Sequence, residues 1–157
     1  MELKGKAEKV TGGCFCEAVR YVAEVYLQDA YYCHCRICQK FTGAPAEVAV
    51  LVKPGSLRFT RGEPKYHPTS HFAERGFCPD CGSRLIWRPL LPELPEWWVN
   101  LPVGSLDRPE KAVPASHMCV ESQLPWYEID DGLPRTRTED YPELATLWKA
   151  KGKQSEN

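Results

Sequence analysis

The chain has 157 residues, enough for one domain with a hydrophobic core, and 43% hydrophobic with 26% charged residues is an ordinary globular balance. The formal net charge of -1 excludes a general attraction to nucleic acid or to an anionic membrane surface. The opening stretch MELKGKAEKV is charged and lacks the apolar segment of a secretory signal, and no apolar run is long enough to cross a bilayer. We therefore expect a cytoplasmic protein.

Short strands are predicted along most of the chain. Its 14 prolines and 11 glycines are spread widely, and they interrupt longer segments with turns. Within SLRFTRG, alternation places Leu57 and Phe59 on one face of a strand. In chain order, the expected strands lie at 18–27, 46–52, 56–62, 83–89, 96–106 and 115–122.

Helices are expected at two places only. One is a short turn after Cys38, and the other is YPELATLWKAK at 141–151, where Leu144 and Trp148 fall on one side. The final stretch KGKQSEN is polar and is expected to fray. The sequence thus predicts a single, mostly β domain over 1–157, with a core at about 10–137 and a C-terminal helical tail at about 138–151.

Eight cysteines need an explanation other than disulfides, because cytosolic thiols are kept reduced. Metal binding is the leading one, since seven of them have the close spacing of zinc ligands. The eighth, Cys119, stands alone in SHMCV. The clusters are a C-x-C motif at Cys14 and Cys16, a C-x-C-x-x-C motif at Cys33, Cys35 and Cys38, and a C-x-x-C motif at Cys78 and Cys81.

The first and last motifs together offer four thiolates, the complement of a closed structural zinc site. Residues two apart in an extended segment share a face, so Cys14 and Cys16 can reach one ion with Phe15 turned away. In the C-x-x-C motif, Pro79 and Gly82 suit the tight turn that brings two sulfurs to one metal. One such ion would connect the N-terminal segment to the middle of the chain.

The middle motif offers three sulfurs. Cys33 and Cys35 share a face if the segment is extended, and Cys38 returns to that face through a turn. His34 then points the other way, which makes it a poor ligand. Three protein ligands with an open position are typical of a catalytic zinc site, and the open position could take water or a substrate thiolate.

The spacing leaves several ligand assignments open. The motif at 78–81 could instead join two of the central cysteines, because the fold sets which ligands meet. His117 or Cys119, two apart in SHMCV, could close the three-sulfur site, although a lone cysteine on a strand is more often a core residue. All seven clustered cysteines could also be free thiols.

The cysteine motifs resemble, in order and spacing, those of the glutathione-dependent formaldehyde-activating enzyme family, which includes centromere protein V-type domains. One departure is Glu17, where the family usually has glycine. The similarity covers most of the chain, through TGGCFCEAVRY, CHCRICQKFTGA, RGFCPDCGSRL, VGSLD and PASHMCVESQLPWYEIDDGLP. The resemblance implies a zinc-containing β-tent fold of short antiparallel strands, shared with methionine-R-sulfoxide reductases. It also implies a structural zinc at Cys14, Cys16, Cys78 and Cys81 and a catalytic zinc at Cys33, Cys35 and Cys38.

The resemblance further implies a carbon–sulfur lyase that interconverts glutathione plus formaldehyde with S-hydroxymethylglutathione, or acts on a related small thiol adduct. Cations near the cysteines could bind the carboxylates of glutathione. Arg36 and Lys40 are the first candidates, because they lie four apart on the predicted helix. Arg75 and Arg84 lie near the C-x-x-C motif at 78–81. A solvated surface pair is the alternative for the first two.

Two other functions remain open at this point. One is a non-enzymatic, zinc-stabilised binding module, as the centromere-type relatives suggest, although the neutral charge argues against nucleic acid as its partner. The other is a redox-sensitive zinc–thiolate protein that releases metal on oxidation. The proline-rich, aromatic segment 91–98 could be a lid, a homodimer contact or a plain connection.

Overall fold

Two sheets and two short helices form the fold in the computed structural model, which describes residue 3 and residues 5–150. The strands are β1 (Glu8–Gly13), β2 (Arg20–Val25), β3 (Ala30–Cys33), β4 (Glu47–Leu51), β5 (Arg58–Arg61), β6 (Lys65–Pro68), β7 (Ala73–Phe77), β8 (Arg84–Pro89), β9 (Asn100–Pro102) and β10 (Pro114–Met118). The helices are α1 (Arg36–Thr42) and α2 (Pro142–Ala150). The prediction of a mostly β fold with two short helices is confirmed.

The smaller sheet has three antiparallel strands in the order β1-β2-β5. The larger has seven, in the order β10-β3-β4-β9-β8-β7-β6, and its neighbours are antiparallel except for the parallel pair β10 and β3. Alternate residues of β2 are buried, as expected for a strand with one face on a core. Tyr21 and Val25 of this face join Val50, Leu85 and Leu101 of the larger sheet in the main core.

The larger sheet also carries apolar side chains on its other face. Successive residues of β4 point to opposite sides, so Val50 enters the main core while Ala49 and Leu51 join a second cluster. That second cluster includes Cys33 and Cys38. The middle cysteine motif therefore lies on the face of the larger sheet that is turned away from the smaller one.

Each predicted strand segment contains an observed strand, and Leu57 and Phe59 pack against the core as expected. The segment 96–106 holds only the three-residue β9 between two 3₁₀ turns. Strands β1, β3, β6 and β7 were not predicted. On β7, buried Glu74 and Arg75 break the apolar pattern of a central strand, which explains why periodicity does not reveal it.

Helix α1 begins before Cys38, not after it, because Cys35 acts as its N-cap. The Cys35 side chain accepts a hydrogen bond from the Cys38 backbone N–H, and Gly43 ends the helix in the left-handed conformation. Helix α2 agrees with the predicted C-terminal helix up to residue 150, while KGKQSEN lies outside the described residues. No helix within the described part of the chain is long and apolar enough to span a bilayer.

Candidate metal centres and cavity

Four sulfurs meet where the loop after β1 approaches the loop between β7 and β8. The Sγ atoms of Cys14, Cys16, Cys78 and Cys81 lie within 4.8 Å of one another. The Sγ atom of Cys16 is 3.6 Å from that of Cys14 and 3.7 Å from that of Cys78. Tetrahedral zinc with bonds of ~2.3 Å holds its sulfurs about 3.8 Å apart, so this donor set fits zinc. The structure brings together the two motifs that the sequence paired.

This four-cysteine cluster links the two sheets. Cys14 and Cys16 follow β1 of the smaller sheet, whereas Cys78 and Cys81 lie between β7 and β8 of the larger one. Ser83 reinforces the link, because its hydroxyl accepts a hydrogen bond from the Phe15 backbone N–H at 3.0 Å and lies 3.1 Å from the Cys81 sulfur. Hydrogen bonds from the Ser83 hydroxyl and from the backbone of Ser83 and Cys16 lower the pKa of the Cys81 thiol to about 5, which favours the thiolate that a metal binds.

The C-x-C motif lies in a turn and not in the extended segment expected from alternation. The Glu17 N–H donates to the Cys14 carbonyl at 3.1 Å, and the Val19 N–H donates to the Cys14 sulfur at 3.2 Å. Phe15 is 91% exposed, turned away from the metal ligands as predicted. Glu17 has a φ of 63°, in the left-handed region that glycine enters without steric cost.

Replacing Glu17 by glycine is expected to raise the free energy of unfolding by about 0.5–1 kcal/mol. The left-handed conformation costs a residue with a Cβ ~1–2 kcal/mol, and the extra chain entropy of glycine offsets part of that gain. Urea unfolding under reducing conditions measures the change. Glu17→Ala is the control, since it removes the same charge but keeps the Cβ; an equal gain from alanine would contradict the backbone explanation.

The middle motif forms a second, three-cysteine cluster. Cys33 ends β3, Cys35 precedes α1 and Cys38 lies in its first turn, and their three sulfurs are within 4.8 Å of one another. The Cys38 N–H donates to the Cys35 sulfur at 3.3 Å. Hydrogen bonds from the Cys33 and Cys38 thiols hold the pKa of Cys35 well below its ordinary value. Three soft donors in this arrangement suit zinc with one position left for another ligand.

Buried charges surround the three-cysteine cluster. Arg75 is 4% exposed, and its Nη2 donates to the Cys38 sulfur at 3.3 Å, while Nη1 donates to the Thr69 hydroxyl. Nearby, Arg84 Nη2 lies 2.9 Å from Oε1 of the buried Glu47. Burial raises the pKa of Glu47 to about 8, and the Arg84 guanidinium opposes that rise. In the sequence, the one signal for Glu47 is its position as a charged residue at the start of the otherwise apolar stretch EVAVL.

A cavity of about 520 Å³ opens beside the three-cysteine cluster, and Cys33, Cys35 and Cys38 all line it. This volume is typical of a site for a small molecule. Aromatic side chains form much of the wall: Tyr31, Phe72, Trp87, Trp98, Tyr141 and Trp148. The polar side chains of Glu47, Ser70, Arg75 and Asn100 also face it. The four cysteines of the other cluster are not among the described residues that line this cavity.

The remaining site predictions have different outcomes. Arg36 and Lys40 are exposed on α1 and do not belong to the described lining of the cavity, so their role in binding glutathione stays a prediction. Arg84 is buried against Glu47 and is also absent from that lining. Trp98 places part of the segment 91–98 in the cavity wall.

The two residues considered as a fourth ligand lie in different surroundings. His117 is fully buried, with Nδ1 2.9 Å from His34 Nε2 and Nε2 2.9 Å from Asp131 Oδ2, so both ring nitrogens have partners other than the three sulfurs. Cys119 is buried in the same cluster as Cys33 and lines the cavity, but it is not one of the three sulfurs that lie within 4.8 Å of one another.

Comparisons with known proteins agree with this arrangement. Residues 9–122 match the family model described as glutathione-dependent formaldehyde-activating enzyme. The chain is 31% identical over 76 residues to an uncharacterized lyase of Schizosaccharomyces pombe, covering 48% of this chain and 55% of that protein. It therefore spans about half the length of this curated relative.

A solved structure supports the fold. The crystal structure of a Rhodobacter sphaeroides protein is similar with a TM-score of 0.51 and 22% sequence identity, covering 80% of this chain and 98% of that one. The family match runs from β1 through the turn after β10, well over half of the chain, and it contains both cysteine clusters. The chain belongs to the glutathione-dependent formaldehyde-activating enzyme family.

Proposed function

We propose that this protein is a zinc-dependent carbon–sulfur lyase that acts on the S-hydroxymethyl adduct of glutathione or of a related small thiol. The observation that carries the proposal is the three-cysteine cluster on the wall of a cavity large enough for such a molecule. A site with three protein ligands keeps one position for substrate, whereas a site with four does not. Membership of the family and the lyase relative support the same class of reaction.

In the cleavage direction, the carbon–sulfur bond of R–S–CH₂–OH breaks, the hydroxyl group loses its proton, and formaldehyde leaves. The thiol sulfur retains the bonding electrons and receives the proton, so the reaction needs no oxidant or reductant. Zinc held by Cys33, Cys35 and Cys38 would supply a Lewis acid that stabilises negative charge on the departing sulfur or on oxygen.

The protein's own residues position that site. Arg75 donates to the Cys38 sulfur from a buried position, which fixes the sulfur and compensates part of the negative charge of the cluster. Helix α1 holds two of the ligands, because the bond from the Cys38 N–H to Cys35 is also its cap. Glu47 and Asn100 offer hydrogen-bonding groups to the hydroxyl of an adduct in the cavity.

A redox-sensitive zinc site is a second candidate, favoured by the position of Cys119, which is buried in the same cluster as Cys33 and lines the same cavity. Oxidation by a peroxide would join these two thiols in a disulfide, reduce the peroxide to water and remove one zinc ligand. Peroxide titration with a zinc-sensitive dye tests this function. Zinc release at low peroxide, lost in Cys119→Ala, is the expected result; release that is unchanged in that variant rules out this disulfide.

Zinc content and turnover test the proposed lyase. Protein purified under reducing, chelator-free conditions is expected to contain two zinc ions per chain by elemental analysis and to release formaldehyde from S-hydroxymethyl adducts. Removal of zinc should abolish the release, and added zinc should restore it. Fully loaded protein that cleaves no adduct faster than the uncatalysed reaction would overturn the proposal.

A further inference from the structure

The wall of the cavity is more apolar than a glutathione site requires. The Phe72 and Trp148 rings pack edge to face with centroids 5.3 Å apart, and Trp87 lies against Trp98 with centroids 6.3 Å apart. Leu144 adds an aliphatic side chain from α2. Such a surface favours an aromatic or aliphatic group, because burying apolar area there removes it from water.

The charges on the wall are also unfavourable for glutathione. Its peptide carries two carboxylates, which need cations or N–H donors. Among the described residues lining the cavity, Arg75 is the one cationic side chain, and it already donates to Cys38 and Thr69. The solvent-exposed charges of the lining are the carboxylates of Asp140 and Glu143, whereas the buried Glu47 is paired with Arg84. Like charges in a partly enclosed site repel, so this wall selects against an anionic ligand.

Part of this wall comes from outside the segment shared with the family. The family match ends at residue 122, whereas the C-terminal segment 138–150 contributes six residues to the lining. They are Asp140, Tyr141, Pro142, Glu143, Leu144 and Trp148. This segment therefore brings apolar surface and negative charge to the same side of the cavity.

We infer that the thiol part of the substrate has an apolar, aromatic or branched aliphatic body in place of the charged peptide of glutathione, and that α2 determines this preference. The inference rests on the proposed lyase function for its reaction, and on the cavity wall for its ligand class. The sulfur of such a thiol lies at the three-cysteine cluster, and its body packs against the aromatic wall and Leu144.

Three thiols, two of them a matched pair, test the preference in the full chain loaded with zinc. The substrates are the S-hydroxymethyl adducts of benzyl mercaptan, of benzyl mercaptan carrying a para carboxylate, and of glutathione. The kcat/KM for the benzyl adduct is expected to exceed both others by about tenfold or more. Calorimetry with the free thiols measures binding independently of turnover and should give the same order.

Variants of α2 test the role of that helix. Leu144→Lys places a cation on the cavity wall, and it is expected to shift the kcat/KM ratio of the glutathione adduct to the benzyl adduct by about tenfold toward glutathione. Thr146→Lys adds the same charge on the exposed side of α2, outside the cavity lining, and should leave the ratio unchanged. An equal shift in both variants would overturn the role given to α2.

The outcomes separate the ligand class from the reaction. Preference for the glutathione adduct in both assays would overturn the inference while leaving the lyase function standing. Tight binding of benzyl mercaptan with no turnover of any adduct would support the ligand class and overturn the lyase function. If the zinc-loaded protein binds neither benzyl mercaptan nor glutathione in calorimetry, the inference is overturned, whatever the turnover of their adducts.

Discussion

Replacing Cys81 by serine is expected to remove one zinc ion per chain and to lower the free energy of unfolding by more than about 4 kcal/mol. The reason is the position of the four-cysteine cluster, which links the smaller sheet to the larger one. Structural zinc contributes ~10–16 kcal/mol to the folding of small zinc domains, and a serine hydroxyl is a poor replacement for a thiolate. Elemental analysis and urea unfolding followed by circular dichroism measure both effects.

The exposure of Cys81 makes this variant informative. A surface substitution that breaks no special contact changes stability by ~0.5 kcal/mol at most. Asp80→Ser in the same exposed turn is the matched control, and it should keep both zinc ions and its stability. If Cys81→Ser were as stable and as zinc-rich as Asp80→Ser, the four sulfurs would not hold a structural metal.

The features that the sequence predicts well are local. The C-x-x-C turn needs its glycine, since Gly82 has a φ of 74°, and the spacing of Cys33, Cys35 and Cys38 is enough to bring their sulfurs together through one strand end and one helical turn. The alternation in SLRFTRG likewise predicts that Leu57 and Phe59 share the face that packs against the core. In each case, residues that are close in the sequence determine the local geometry, so the sequence pattern is enough to predict it.

Features that depend on distant segments are not predictable in this way. Strand β7 has a neighbouring strand on each side, and its buried Glu74 and Arg75 have partners from other segments: Arg88 pairs with Glu74, and the Cys38 sulfur accepts from Arg75. The cavity wall joins residues as far apart as Tyr31 and Trp148.

The predicted glutathione cations Arg36 and Lys40 are close to the cysteines in sequence but lie on the exposed side of α1. Their part in binding a substrate carboxylate stays a prediction, because the sequence alone does not show which side of the helix faces the cavity.

Replacing Cys35 by serine is expected to lower kcat/KM for every accepted thiol adduct by about a thousandfold or more, with the fold retained. Loss of one of three ligands empties the site, and a catalytic metal contributes several kcal/mol of transition-state stabilisation. Serine is also a good N-cap, so its hydroxyl can accept the Cys38 N–H and preserve the start of α1. Zinc content should fall from two ions per chain to one, while the urea midpoint changes little.

Cys119→Ser is the matched comparison for this variant. It makes the same atomic exchange beside Cys33, but at a sulfur outside the group of three. We expect it to retain both zinc ions, because three thiolates are enough to hold the metal with one position free. Loss of one zinc ion from Cys119→Ser would make Cys119 a fourth ligand and would close the position that the lyase needs. Full turnover by Cys35→Ser would show that the reaction does not depend on the three-cysteine cluster.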